Sequence, residues 1–229
     1  AASDVYKRQV KEGAGNGTAS ALSFGTGGES GTYYAFGGVL ASFVSGKSNC
    51  KVTALTSGGS QANVEDLTNG NVQLAFVQSD VMNYAYNGQR LFDSPVTGFS
   101  VVAQLYQEQV QIVTTNPDIK TVADLAGKKV SIGAAGSGVY FNAIDVLSAY
   151  DLKESDISAV YQSFGDSAES LKDGKIDAAF IVAGAPTTAI TDLATAGSVY
   201  LVSLDDSHVQ SLLSASPYYT AATIKAGTY

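Results

Sequence analysis

Apolar and polar positions along the chain repeat one order, a short apolar run, a turn of small residues, and then a stretch with helical spacing. Residues 22–24 read as a strand end, 25–31 as a glycine-rich turn, and 32–44 as a helix carrying aromatic and aliphatic side chains. Residues 51–56 alternate as a strand and run into a second glycine turn, 56–60. Ser60 is then the expected N-cap of a helix over 61–67 that stops at Asn69-Gly70. A buried strand is expected over 72–78, breaking at Gln78-Ser79-Asp80, with Ser79 or Asp80 capping a helix over 81–88. The run 99–115 has strand character throughout, but at about 3.3 Å per residue it is too long for one strand of a small lobe. It is read as two strands joined by a crossover between lobes near 104–109. Tyr106, Gln107 and Glu108 are thus hinge candidates with side chains able to reach a cleft, and ordinary sheet-surface positions are an equal reading.

The order then starts again. A helix over 119–127 is stopped by Gly127, a strand over 128–133 enters another glycine loop, and a helix follows over 139–150. A strand over 160–164, a helix over 167–171 and a buried strand over 177–183 come next. Pro186 suits the first turn of a helix over 187–195. The last clear strand is 199–204, after which the chain is expected to return to the first lobe. Residues 1–20 show neither period: a charged stretch precedes a linker-like run of Gly, Ala, Asn, Thr and Ser, and the segment is set aside as a flexible tail.

This is a duplication. Ser-Ile-Gly-Ala-Ala-Gly-Ser-Gly-Val-Tyr, ending at Tyr140, parallels Ser-Phe-Gly-Thr-Gly-Gly-Glu-Ser-Gly-Thr-Tyr, ending at Tyr33, with one residue fewer. Downstream, the stretch from Leu67 to Val77 is matched by that from Leu171 to Ile181 at nearly the same offset. The unit is longer than the roughly 20–50 residues of a solenoid repeat. Two similar α/β lobes are therefore expected: 21–103 with 206–229, and 104–205.

Each lobe offers a glycine loop that opens a helix, where unpaired N–H groups and the positive end of the helix dipole can hold an anion. In open α/β sheets ligands sit beyond the carboxyl ends of strands, so the three strand ends at 25–28, 57–60 and 78–80, Ser79 included, should converge. Tyr33 and Tyr140 hold matching places in the repeat and are candidates to cover a ligand's carbon chain, with aromatic core packing the competing reading.

Composition narrows the chemistry. An apolar share of 45% over 229 residues is that of a globular protein with a proper core. A net charge of −8 argues against nucleic acid, whose affinity comes from neutralised phosphates. Arg8 and Arg90 are the only arginines, so a bidentate arginine clamp is nearly out of reach and an anion site must rely on N–H and hydroxyl donors. With one histidine and one cysteine, a histidine-based triad or a zinc site has too few parts. Neither loop is followed by the Gly-Lys-Ser/Thr of a phosphate-binding loop or has the spacing of a dinucleotide fingerprint. An enzyme on a similar two-lobe fold, acting on a small anionic metabolite, is kept as the rival of a binding protein, with no catalytic residues, metal or cofactor expected.

The loop from Gly25 to Tyr34, the Thr-Ser-Gly-Gly-Ser turn ending at Ser60, Ala-Phe-Val-Gln-Ser-Asp ending at Asp80, and Asp-Ala-Ala-Phe-Ile-Val-Ala-Gly-Ala-Pro ending at Pro186 together resemble the TAXI family. These are solute receptors of tripartite ATP-independent periplasmic (TRAP) transporters. The resemblance implies a hinged, two-lobe type II periplasmic-binding-protein fold. It further implies a monomer outside the bacterial cytoplasmic membrane that closes on a small carboxylate and docks on a membrane permease. Glutamate, glutamine or a 2-oxoglutarate-like dicarboxylate is the implied solute. The implied ligand contacts fall on the first glycine loop (Gly25, Thr26, Gly27, Gly31) and on the turn Ser57, Gly58, Gly59, Ser60, with Gln78. In the second half they fall on the loop Ala134, Ala135, Gly136, Ser137, Gly138 and on Val182, Ala183 and Gly184. Two departures are noted: residues 1–20 do not resemble the family's leader, and the family continues beyond Tyr229, so the C-terminal part of the first lobe is expected to be missing.

Overall fold

A computed structural model describes residues 20–229; the tail expected over 1–20 lies, but for Ser20, outside the described residues. The fold is α/β with two sheets, and it is the type II periplasmic-binding-protein fold. β1 (Ala21–Gly25) lies between β2 (Lys51–Leu55) and β3 (Leu74–Ala75), all parallel, with Phe24 opposite both Ala54 and Leu74. The connections are α1 (Thr32–Lys47) and α2 (Ser60–Thr68), and α3 (Ser79–Asn87) leaves β3 and ends on Gly88 in the left-handed region.

The second sheet runs β6-β5-β7-β4-β8. β5 (Lys129–Ser131), β6 (Ser158–Val160) and β7 (Ala178–Ala183) are parallel, and β4 (Gln109–Thr114) is antiparallel to both β7 and β8 (Tyr200–Leu201). Its helices are α4 (Val139–Ala149), α5 (Phe164–Lys172), α6 (Thr188–Ala196) and α7 (Asp206–Ala215). The strand–helix–strand–helix–strand order of β1 to β3 thus recurs in β5 to β7, and in each the strand before the glycine loop lies between the other two. That is the structural counterpart of the sequence duplication.

Core packing explains the second sheet's stability. Every residue of β7 is buried, and apolar clusters fill both of its faces, one around Ile132, Leu147 and Phe180, the other around Ile181, Ile190 and Leu171. The first sheet packs Phe24 and Phe76 against α1. A further cluster joins the halves: Phe141 of α4, fully buried, inserts among Val64, Val81, Tyr84 and Phe92 of the first half.

Several expectations change. Only the second of the two strands expected in 99–115 forms; residues 99–108 have no regular structure and are largely exposed. Ser60 is not a cap but the first residue of α2, because Gly59 takes the cap place and the Ser60 hydroxyl accepts the Gln78 N–H at 3.0 Å. Residues 119–127 give only a 3₁₀ turn over Val122–Leu125, held by a capping box between Thr121 and Asp124. Pro186 precedes the cap Thr187 rather than entering α6. Residues 206–229, expected to rejoin the first lobe, lie mainly against the second. There His208 stacks on Tyr150 at 3.7 Å, Leu212 covers the core, and the Tyr229 hydroxyl accepts the Thr187 N–H at 3.0 Å. Tyr218 meets the first half, edge-on to Tyr84. Aromatic and apolar side chains of this segment find partners there, and no apolar pattern in it marks a strand for the first sheet.

Candidate functional site

The carboxyl ends of both sheets face one another around a cavity of about 80 Å³, room for a handful of water-sized groups. Helix starts surround it: α1 at Gly31 and Thr32, α2 at Gly59 and Ser60, α3 at its cap Gln78, α4 at Gly138 and Val139, and α5 at Ser163 and Phe164. No lysine, arginine or histidine is among the lining residues, and Glu108 is the one carboxyl side chain. Positive potential in this cavity therefore comes from main-chain N–H groups and helix dipoles.

The first-half loops are tied together from below. Asn63, fully buried on α2, donates to the carbonyls of Thr26 and Phe76, both at 2.7 Å, so one amide joins the end of β1 to the end of β3. Thr26 donates its hydroxyl to the Leu55 carbonyl at 2.6 Å, and Ser57 donates to the Thr26 carbonyl at 3.0 Å. The halves touch directly: the Ala62 N–H donates to the Gly136 carbonyl at 3.0 Å, and a Cβ on Gly58 would stand 2.6 Å from the Ala135 oxygen. Only glycine at 58 allows that approach. Likewise a Cβ on Gly138 would overlap the side-chain amide of Gln78, which reaches across to donate to Asn142 at 2.7 Å. Asn142 in turn donates to Asp80 at 2.9 Å.

Of the sequence candidates, Gly27, Gly31, Tyr33, Ser57, Gly58, Gly59, Ser60 and Gln78 from the first half line the cavity together with Ala134, Ser137, Gly138, Val182 and Ala183 from the second. The others serve elsewhere. Thr26 is fully buried with its hydroxyl spent on Leu55, and Gly25 packs under Asn63, so both build the loop rather than face a ligand. Ala135 and Gly136 meet the first half's turn outside the cavity, and Ser79 lies within α3, away from the lining. The Gly184 carbonyl accepts from Thr32 at 3.3 Å and Thr187 at 2.9 Å. Tyr140 leaves the site because its hydroxyl is drawn to Glu154 at 3.1 Å, whereas Tyr33 stays, stacked on Phe76. Among the hinge candidates Glu108 lines the cavity, Tyr106 packs edge-on against Phe36, and Gln107 is exposed.

Gly28, Thr32 and Val139 line the cavity within the expected loops and helix starts without having been singled out, and Ser163 and Phe164 were missed. Ser163 had a readable signal: Ser-x-x-Asp precedes the helix, and Ser163 caps it, its hydroxyl oxygen accepting the Asp166 N–H at 3.2 Å. Extending the strand to residue 164 hid it.

Burial sets the electrostatics. It pushes the Glu108 carboxyl up to about 8, against a hydrogen bond from Tyr33 that pulls down and Asp80 that adds to the rise. Burial, then Glu108, raises the Tyr33 phenol, and burial raises Asp80. The Ser137 hydroxyl is buried with no hydrogen-bond partner among the described residues, at the mouth of α4. A larger depression of about 370 Å³ on the outside of α5, between Tyr161 and Lys175, is an open surface rimmed by Asp166, Glu169 and Asp173.

Comparison with known proteins agrees with this architecture. Residues 24–229 match the NMT1-like family. The alkanesulfonate-binding protein of Xanthomonas axonopodis pv. citri, bound to MOPS, superposes with a TM-score of 0.52 at 21% identity over 80% of this chain and 60% of its own. An amino acid ABC transporter substrate-binding protein of Streptococcus pneumoniae bound to L-arginine gives 0.55 at 16% identity, covering 80% and 75%. An ABC uptake transporter substrate-binding protein from the same species with bound histidine gives 0.56 at 19%, covering 81% and 76%. The chain thus spans about three-fifths of the sulfonate receptor's length.

Proposed function

The chain belongs to the NMT1-like family, and from that premise we propose that it is the extracytoplasmic solute receptor of a bacterial TRAP transporter of the TAXI kind. It captures a small carboxylate between two lobes and presents it to a membrane permease, without catalysing a reaction. The lobes are residues 21–103 and 104–205, with 206–229 carried mainly by the second.

The observation that carries this reading is the shared cavity: two copies of one glycine loop, from opposite halves, open helices toward a single space without a basic side chain. Each charge-assisted hydrogen bond from those amides contributes about 1.5–3 kcal/mol in a dry cleft. Ser137 and Gln78 supply directional polar groups, while the Ser57 hydroxyl is spent on the Thr26 carbonyl. The net charge of −8 opposes an incoming anion at long range, but at physiological salt that field is screened within about 8 Å, so the local donors win. Contacts such as Ala62 to Gly136 and Gln78 to Asn142 exist only when the lobes are together, so a solute that bridges the loops favours the closed form. The permease then reads both lobes at once. Residues 104–108 form the hinge segment, with Glu108 facing the solute.

A sulfonate is the second reading, because an amide-lined anion site accepts either head group and the similar protein from Xanthomonas is an alkanesulfonate receptor. Calorimetry against a panel of amino acids, dicarboxylates and sulfonates tests both. One small acid should bind saturably, with Kd at about 1 μM or below, and be recovered unchanged. Turnover of the bound acid, or no saturable binding across the panel, would contradict the proposal.

A further inference from the structure

We propose that Glu108 is a counter-charge subsite, so that the solute carries a cationic nitrogen beside its acid group and is a zwitterion rather than a dianion. This rests on the solute-receptor reading of the same cavity and says which part of the acid class it takes.

The geometry is that of a two-pole cleft. One pole is the ring of helix starts, all N–H donors. The other is Glu108, which enters from the segment before β4 and lines the same cavity. Its carboxylate receives one hydrogen bond among the described residues, from the Tyr33 hydroxyl at 2.9 Å. The ion pairs among those residues lie elsewhere, at Arg90 with Asp145, Lys172 with Glu169, Lys175 with Asp173, and His208 with Asp205. The ionisable groups that face Glu108 are Tyr33 from α1, Tyr106 from its own segment and Asp80 from α3, none of them a cation. Asp80 is itself occupied by the Val81 N–H and by Asn142.

A half-buried acid without a cationic partner is costly, and the cost is relieved when an ammonium arrives in the cleft. An arriving ammonium displaces the Glu108 proton and pairs with the carboxylate, whereas a second carboxylate meets a neutral acid below about pH 8 and a like charge above it, in a site where water no longer screens the pair. An acid in this place therefore favours the nitrogen of an amino acid or aminosulfonate over the far end of a dicarboxylate. The anionic head, carboxylate or sulfonate, remains the business of the amides.

Two probe pairs that differ at the amine separate these arms: L-glutamate against 2-oxoglutarate, and taurine against isethionate. Calorimetry at pH 7 should find the amine-bearing member of at least one pair bound about tenfold tighter or more. Glu108→Gln should weaken that member by about 10–100-fold, the worth of one charge-assisted hydrogen bond, and leave its partner unchanged or tighter. The wild-type chain supplies an independent readout. Its Glu108 holds a proton at pH 7 in the empty cleft, so binding an ammonium there should release about one proton, seen as a dependence of the heat on the buffer's ionisation enthalpy. Equal or better binding of the amine-free member, an equal loss of both members in Glu108→Gln, or no proton release would overturn the inference alone. Saturable binding of some other small acid in the wider panel, with none of these four bound, would do the same. No saturable binding of any small acid would take down the underlying reading and the inference with it.

Discussion

The two halves share a strand order but not a foundation. In the second, β4 and β8 extend the sheet, β7 is buried along its whole length, and apolar clusters fill both faces. In the first, β3 is two residues long and α1 leaves Val39 and Phe43 more than 60% exposed. Matching positions of the repeat show how the first half compensates. Asn63 on α2 and Ser167 on α5 stand at the same place; Ser167 makes one side-chain bond, to Ser131 at 2.8 Å, while Asn63 ties two carbonyls at once. The first half also takes a core residue from its neighbour, Phe141. The duplication has kept the glycine loops alike and let the packing beneath them diverge, so the second half acts as the base on which the first is set.

The sharpest way to break that comparison is Phe141→Ala. Losing a fully buried phenylalanine should cost about 3–5 kcal/mol in denaturant unfolding, with the first half loosening first. A loss below about 1 kcal/mol would mean that the halves stand independently. Next, Asn63→Ala leaves the buried Phe76 carbonyl without its partner and the Thr26 carbonyl with Ser57 alone, and should cost about 2–3 kcal/mol, against about 1 kcal/mol for Ser167→Ala. Equal costs would erase the asymmetry.

Ser137→Ala is expected to weaken solute binding about tenfold while the melting temperature holds, because its hydroxyl has no partner to lose within the chain. A fall in melting temperature with affinity intact would make Ser137 a structural residue.

The last effect is on pH. Glu108 rises from 4.5 in an unstructured chain to about 8 in the fold. Below the lower value both states hold the proton. Between the two the unfolded chain releases it and the folded chain keeps it, so stability falls as pH rises and the penalty is complete above about 8. Thermal melts should therefore show Glu108→Gln gaining on the wild type between pH 5 and 8. A constant difference over that window would mean that Glu108 is not desolvated.

Much of the architecture was legible because apolar period and glycine turns are local signals. The starts of α1 and α4 were read at the residues where they form, and the matched loops put both halves on one cavity. What stayed hidden depended on partners distant in sequence. Nothing near Thr26 says that its hydroxyl is spent on Leu55, and nothing near Tyr140 says that Glu154 draws it away while Tyr33 is kept by Phe76. Strand character in 99–108 was real as composition, but no neighbouring strand is there to pair with it. Glu108 was singled out for its place in a crossover; its burial against Tyr33 is a property of the assembled fold.

The central claim is that main-chain amides from both halves grip one acid. Titrating ¹⁵N-labelled chain with the tightest-binding acid of the panel, and following backbone amide shifts, tests it directly. Amides of Gly31 and Thr32 and those of Gly138 and Val139 should move together and saturate at the same concentration. Shifts confined to one loop, or centred on lysine-bearing surfaces away from both, would contradict it.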